Sequence, residues 1–364
     1  MYTFMTMNGL LHWNDEKYKA EEEIRADYQR ICEEYLAGEF PTDILDRLAN
    51  MLEALGNSPV IVRSSSQLED NFGFSFAGKY DSYFLPNQGT PKENLIALTE
   101  AIARIYASTL NPDALLYRRS KGLQDYDERM AILVQVVVGE KMGDYFLPHG
   151  AGVAFSRNLY RWSPRIERED GFMRLVWGLG TRAVDSIGND YPRLVALGQP
   201  NLRPDSSPQA IRHYSQQFVD LIDLKENSFK TLPVKEVFEP NYKPLRLLAQ
   251  IYRDGFVSSI RSTVLREDME KLILTFDPLL RRTLMPDQMR RLLQTLEGVY
   301  KMPVDLEFTI EIDDFQSQHP VSRITIVQCR PQSQMQDRQM RLPKSVNPDD
   351  VLISTRRMVP QGVC

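Results

Sequence analysis

Two stretches, PVDLEFTI (Pro303–Ile310) and RITIVQCRP (Arg323–Pro331), decide how this chain is read. In VDLEFTI a period of two places Val304, Leu306, Phe308 and Ile310 on one face of a strand and Asp305, Glu307 and Thr309 on the other. The second stretch reads as a strand whose apolar face, Ile324 and Ile326, turns polar at Gln328 and Arg330. A carboxylate, an amide oxygen and a guanidinium gathered at one end suit a hard cation and a phosphate, since Mg²⁺ takes oxygen ligands and Arg grips phosphate bidentately. The same pattern also describes a half-exposed hairpin with a solvated polar side.

Some 240 residues upstream lies a second candidate, VIVRSSSQLED followed by SFAGKYDSYF. A buried strand (Pro59–Arg63) ends in Arg63, serines follow, and Gly78 can bring backbone amides close to a phosphate while Lys79 adds charge. Gly and Ser also make ordinary turns. A third stretch, WGLGTRAVD, offers a close backbone approach at Gly178 and Gly180 without opening a dinucleotide motif.

Between these stretches, apolar spacing predicts a helix over Asp15–Leu36 (Ile24, Tyr28, Ile31, Tyr35) and another over Thr42–Leu55 ahead of Gly56. A third helix starts at a capping box, Thr90 with Glu93 around Pro91. The runs AILVQVVVG, AGVAFS and FMRLVW read as strands, and Met289, Leu292, Leu293, Leu296 and Val299 as a helix stripe. Prolines punctuate 204–255 too densely for a clear assignment, and the segment after Pro331 reads as a polar tail.

The chain has 364 residues, enough for two domains, with 42% hydrophobic and 26% charged residues, as in an ordinary globular protein. Its 44 basic against 49 acidic residues give a net charge of −5, which argues against nucleic acid or an anionic membrane as partner. No apolar run approaches the ~20 residues of a membrane span, and the N-terminus lacks a signal pattern, so the expected location is the cytoplasm. Cys32, Cys329 and Cys364 form no CxxC pair, and His12, His149, His213 and His319 stand apart from one another, so zinc is not expected.

With YRR (Tyr117–Arg119), LVQVVV, AGVAFS, WGLG, PVDLEF and VQCRP in this order, the chain resembles a known family from about Asn8 to Ser333. It is the nucleotide-binding domain shared by pyruvate phosphate dikinase, phosphoenolpyruvate synthase and the rifampicin phosphotransferases. The resemblance implies an α+β ATP-grasp fold, two lobes clamping a nucleotide. Residues 1–200 would form the first lobe, 201–335 the second with the metal-binding strands, and 336–364 a linker or tail. The implied chemistry is phosphoryl transfer from ATP, with Mg²⁺, to a histidine on a separate domain and then to a small acceptor such as pyruvate.

Carried over by position, Glu307 and Gln328 would be Mg²⁺ ligands, and Arg63 and Arg330 would contact the transferring phosphate. Gly78, Lys79 and Ser82 would belong to a flexible loop over the phosphates, with Lys79 where the family more often has Gln. Gln135 and Val137 would lie on the strand bordering adenine. Asp305 has a less defined role, and Thr181 replaces a frequent Glu. Nothing before Arg63 matches the family's first strand and Gly-Gly-Lys loop, and no histidine lies in a phosphohistidine motif. The chain is therefore expected to be one part of a larger or split phosphotransferase. Two other readings stay open: a nucleotide-binding module without turnover, and an acyl-phosphate-forming ligase with the same clamp.

Overall fold

The computed structural model describes residues 1–69, 78–158, 160–184, 190–261, 266–315 and 317–332, so the tail 336–364 lies outside the described residues. The chain divides into two compact units, the first Met1–Val137 with Ile222–Phe229, the second Val138–Leu221 with the residues from Lys230 onward.

The first unit opens with α1 (Tyr2–Met7), a 3₁₀ segment (Leu10–Tyr18), α2 (Glu21–Leu36) and α3 (Thr42–Leu55). The single helix expected from Asp15 is interrupted. Lys19 is extended (φ −71, ψ 166), and α2 starts afresh at Glu21, where the Glu23 carboxylate accepts the Ala20 N–H at 3.2 Å. Three glutamates in the first turn complement the positive end of the helix dipole.

β1 (Val60–Ser65), β2 (Ser82–Leu85), α4 (Pro91–Ser108), α5 (Pro112–Ser120) and β3 (Ala131–Val136) complete this unit. The capping box is formed as expected: Thr90 Oγ1 accepts the Glu93 N–H at 3.3 Å, and Glu93 accepts the Thr90 N–H at 2.8 Å. The sheet is antiparallel in the order β2-β1-β3. Val62, Tyr83, Leu85, Ile132 and Val134 pack with Leu98, Ile102 and Ile105 of α4. Alternation sends Ile61, Arg63, Ser82, Phe84, Leu133 and Gln135 to the opposite face.

In the second unit β4 (Glu140–Met142), β5 (Tyr145–Leu147), β6 (Gly150–Phe155), β7 (Phe172–Val176), α6 (Thr181–Val184) and β8 (Arg193–Ala196) come first. The proline-marked region contains α7 (Pro208–His213), β9 (Phe218–Asp223), β10 (Ser228–Pro233), α8 (Val234–Val237), α9 (Leu245–Leu248), β11 (Ala249–Arg253) and β12 (Phe256–Ser258). After these come β13 (Leu272–Leu274), α10 (Asp277–Arg282), α11 (Met285–Tyr300), β14 (Val304–Asp313) and β15 (Val321–Pro331).

The main sheet runs β15-β14-β6-β7-β8. Leu306, Phe308 and Ile310 of β14 share one core with Leu175, Val195, Met289 and Leu293. Because β6, β7 and β8 belong to the sheet of β14 and β15, strand pairing ties 138–200 to the C-terminal half. The contact boundary therefore falls at Val137/Val138 and not at 200/201. Among the described residues no helix is long and apolar enough to cross a membrane.

Candidate active site

β14 and β15 pair in a register that ordinary alternation does not predict. Ile310 faces Ile324 and Phe308 faces Ile326, but Glu307 faces Gln328, Leu306 faces Cys329 and Asp305 faces Arg330. Val327 is the extra residue, a β-bulge between two correctly paired segments. Without it Gln328 would oppose Leu306 and point into the core. The expectation that Ile324, Ile326, Gln328 and Arg330 share one face is thus corrected. The bulge reverses the parity, and Gln328 and Arg330 join Asp305, Glu307 and Thr309 on the polar face while Cys329 packs against the core.

On that face Arg330 Nε lies 3.4 Å from Asp305 Oδ1, and Nη2 lies 3.7 Å from Glu307 Oε1. Asp305 therefore holds the guanidinium beside Glu307. Burial, reinforced by the Asp305 charge, pushes the Cys329 thiol above its ordinary value, so it is a neutral packing group here. The donor chemistry suits Mg²⁺: one carboxylate and one amide oxygen are cross-strand neighbours, leaving other coordination positions to phosphate and water. Among the described residues no group of three or more His, Cys, Asp or Glu forms a complete metal cage.

The second half of the candidate set lies in the first unit. Arg63 is cross-strand to Ser82 on one side and Leu133 on the other, and Ile61 to Phe84 and Gln135. Arg63, Ser82 and Gln135 therefore share the face turned away from α4, with Ile61, Phe84 and a 45%-exposed Leu133 as an apolar floor. Ser82 begins β2, and so it is a strand residue and not part of the glycine loop. Val137 donates its N–H to Pro59 O at 2.9 Å, which removes that N–H from any contact with a base. Pro59 has no N–H to return, so the Val137 carbonyl receives nothing from it. The same alternation turns the main chain of Val136 toward the outer side of β3.

Gly78 has φ +72 with no atom within 4 Å of an added Cβ, and Lys79 Nζ stands 5.2 Å from the Tyr117 ring centroid. Residues 70–77 of the same segment lie outside the described residues. The serines before it end β1 and lead into a turn closed by Glu69, which accepts from Ser64 Oγ at 3.0 Å and from the Ser66 N–H at 3.3 Å. Arg118 and Arg119 of YRR serve the fold. Arg118 donates to Thr109 O, and Arg119 reaches Lys17 O and Lys19 O at 2.8 and 2.7 Å.

WGLG proves to be a packing turn. Gly178 has φ +90, and an added Cβ would lie 2.5 Å from Val219 Cγ2 and 2.6 Å from Asp220 O. At Gly180 it would lie 3.5 Å from Ala151 Cβ, an ordinary contact, so only Gly178 requires glycine. Behind the turn Asp220 accepts from Thr181 at 2.5 Å, Arg182 Nε at 3.0 Å and Thr231 at 2.6 Å, and Arg182 Nη1 also reaches Asp190 at 2.6 Å. Thr181 thus has a definite partner.

Sequence reasoning missed Arg174. It is cross-strand to Val153, itself cross-strand to Glu307, and so shares the polar face, with long contacts to Ala183 O (3.4 Å) and Tyr160 Oη (3.5 Å). The signal was one charge inside the apolar run FMRLVW. His149 is a satisfied core residue: it accepts the Ile312 N–H on Nδ1 at 2.9 Å, which leaves Nε2–H to donate to Glu140 at 2.5 Å.

Residues 1–348 match the sequence profile of the family described as pyruvate phosphate dikinase, AMP/ATP-binding domain. The chain belongs to this family. Curated relatives of this pyruvate phosphate dikinase-type domain include a rifampicin phosphotransferase of Streptomyces sviceus, 30% identical over 192 residues, 52% of this chain and 20% of that protein. A phosphoenolpyruvate synthase of Helicobacter pylori is 30% identical over 183 residues, 46% of this chain and 19% of that protein. An uncharacterized phosphotransferase of Bacillus subtilis is 25% identical over 214 residues, 58% and 23% respectively. The matches thus span about a fifth of each relative's length. The domain family is of ATP-grasp type, and the mixed α+β architecture agrees with it.

Proposed function

We propose that this domain binds Mg-ATP and passes a phosphoryl group to a histidine on a separate domain, which hands it to a small acceptor of the pyruvate class. The observation that carries this reading is the Val327 bulge, which sets Gln328 beside Glu307 and Arg330 beside Asp305 on one face. Glu307 Oε and Gln328 Oε1 would hold Mg²⁺, which would neutralise phosphate charge and orient the phosphates. Asp305 fixes Arg330, whose guanidinium would meet the phosphoryl oxygens.

In the first unit the Ile61–Leu133–Phe84 floor would carry the base, with Gln135, Val136 and the Val137 carbonyl at its rim. Arg63 and Ser82, with Gly78 and Lys79, would take the phosphate end. Arg63 would act mainly on charge that develops as the phosphoryl group departs, whereas the hydrated Lys79 ammonium would act alike on both states. The relatives' names, two phosphotransferases and a phosphoenolpyruvate synthase, support this class of reaction. A cytoplasmic setting is consistent with ATP as donor.

Calorimetry of Mg-ATP binding tests the site. Glu307→Gln and Gln328→Leu should each weaken Mg-ATP by on the order of 10- to 100-fold, as losses around metal sites do, with a smaller effect on metal-free ATP. Unchanged Mg-ATP affinity in both variants sinks the assignment. In single-turnover transfer from labelled ATP to an added phosphohistidine domain, Arg63→Ala should slow transfer by about 100-fold, the usual scale for a preorganised donor. ATP binding without any transfer to that domain would favour a binding module over an enzyme.

A further inference from the structure

On the core-facing side of the edge strand β8, two buried arginines share one carboxylate and a third, exposed arginine stands nearby. Arg193 Nη2 and Arg203 Nη2 both reach Asp277 Oδ1, at 3.4 and 2.9 Å, and their side chains are only 5% and 11% exposed. Their other bonds go to carbonyls: Arg193 to Leu194 O (2.5 Å) and Pro200 O (3.2 Å), Arg203 to Thr275 O (3.0 Å). The Nε atoms of both are buried without a hydrogen-bond partner, as is the hydroxyl of the fully buried Thr275. Arg281, exposed at the mouth of the cluster, holds Asn201 Oδ1 through Nε at 3.1 Å.

Two buried guanidiniums share one carboxylate, which leaves one positive charge uncompensated, an arrangement that costs free energy unless a counter-charge arrives, and the exposed Arg281 adds a third, solvated charge nearby. Burial, followed by repulsion from Arg203, lowers the Arg193 guanidinium to about 9 despite Asp277, a mark of the same deficit. One buried charge to neutralise, a further guanidinium beside it and several N–H donors without acceptors match a multidentate oxyanion such as phosphate better than a chloride.

We propose that Arg193, Arg203 and Arg281 form a binding site for phosphate, either free or as a monoester. The site stands apart from the Glu307–Gln328 pair. β8 is three strands from β14, about 14 Å at ~4.8 Å per strand, and Arg193 faces Leu175 on the core side of the sheet, opposite to Glu307. Phosphate there would tie the β8 end and the 197–203 loop to α10, and so stabilise the second unit.

The test uses the full chain with inorganic phosphate, glycerol 3-phosphate and, at matched ionic strength, chloride, read by thermal unfolding and calorimetry. Phosphate should raise the melting temperature saturably and chloride should not. Arg281→Gln, an exposed change that spares the core, should weaken phosphate at least tenfold, and Glu307→Gln should leave it unchanged. Asp277→Asn should tighten phosphate, since the anion no longer competes with a carboxylate, which keeps a positive outcome available. Tighter binding of glycerol 3-phosphate than of phosphate would identify a monoester as the occupant, and the reverse the free anion. A phosphate response equal to that of chloride, or one that survives Arg281→Gln but is lost in Glu307→Gln, overturns the proposal.

Discussion

Replacing Arg330 with Gln separates the structural work of that guanidinium from the phosphate contact proposed for it. At 3.4 Å from Asp305 and 3.7 Å from Glu307, with side chains 15%, 26% and 21% exposed, Arg330 sits between a surface and a buried setting. Coulomb's law gives each contact about 1 kcal/mol in bulk water and about 5 at an effective dielectric of 20. Measured exposed pairs are worth about 0–1 kcal/mol, so about 1 kcal/mol per contact is a fair middle value. The variant also leaves Asp305 and Glu307, two residues apart on one strand face and roughly 7 Å from each other, without that guanidinium, which adds about 0.6 kcal/mol of repulsion at the dielectric of water.

The loss of about 2–3 kcal/mol should lower the melting temperature by roughly 4–12 °C for a unit of this size. Magnesium supplies the decisive arm. In the wild type, Mg²⁺ without ATP should barely move the melting temperature, because the guanidinium occupies the space beside Glu307. In Arg330→Gln the same Mg²⁺ should restore at least half of the loss by taking the place of the guanidinium beside Asp305 and Glu307, while Mg-ATP affinity falls. Thermal unfolding with and without 10 mM Mg²⁺, against matched Ca²⁺ and Na⁺, reads this directly. An Arg330→Gln protein whose stability ignores Mg²⁺ would refute the view that Glu307 and Arg330 stand at a metal-phosphate junction.

Gly178→Ala should be far more damaging than Gly255→Ala, because both have positive φ but only Gly178 would meet backbone and side-chain atoms at 2.5–2.6 Å. Strain of about 1–3 kcal/mol applies to both and overpacking of about 1–3 kcal/mol to Gly178 alone, so equal melting temperatures for the two variants would contradict the packing role. Glu128, buried and accepting from Tyr80 Oη at 2.8 Å, has its carboxyl raised above the ordinary 4.5 by burial. Its contribution is fully present below pH 4.5 and is lost as pH rises through the raised value, so Glu128→Gln should gain stability relative to wild type at pH 7 and not at pH 4. Melts at the two pH values decide this, and a gain independent of pH would count against it.

What the sequence shows plainly is what local chemistry controls. Thr42–Leu55 and the Thr90 helix form where spacing and capping place them, since an amphipathic stripe with a defined start suffices for a helix. The break at Lys19 is not legible in spacing: Ile24, Ile31 and Tyr35 do face a core, but upstream the chain turns to bury Trp13 against the same cluster, and that tertiary demand wins over helical continuity. The unit boundary is equally invisible. Residues 138–200 contain β6, which pairs with β14 more than 100 residues later, and no composition shift marks such a long-range partner.

The candidate site shows the same limit at the scale of one residue. Period-two reasoning puts Glu307 on a polar face correctly because β14 is regular, each apolar residue falling in the core. Applied to Ile324, Ile326, Gln328 and Arg330 it fails, since it has no means of seeing the register shift at Val327. The physical cause lies in the two demands on β15. Ile324 and Ile326 lie across from Ile310 and Phe308, and four residues later Arg330 must reach Asp305. A strict ladder cannot satisfy both, because keeping Ile324 against the core would set Gln328 and a guanidinium opposite the buried Leu306 and Val304, at a cost of several kcal/mol per uncompensated group. One extra residue resolves the conflict, and it does so at the point where the strand turns Gln328 and Arg330 to the polar face of β14.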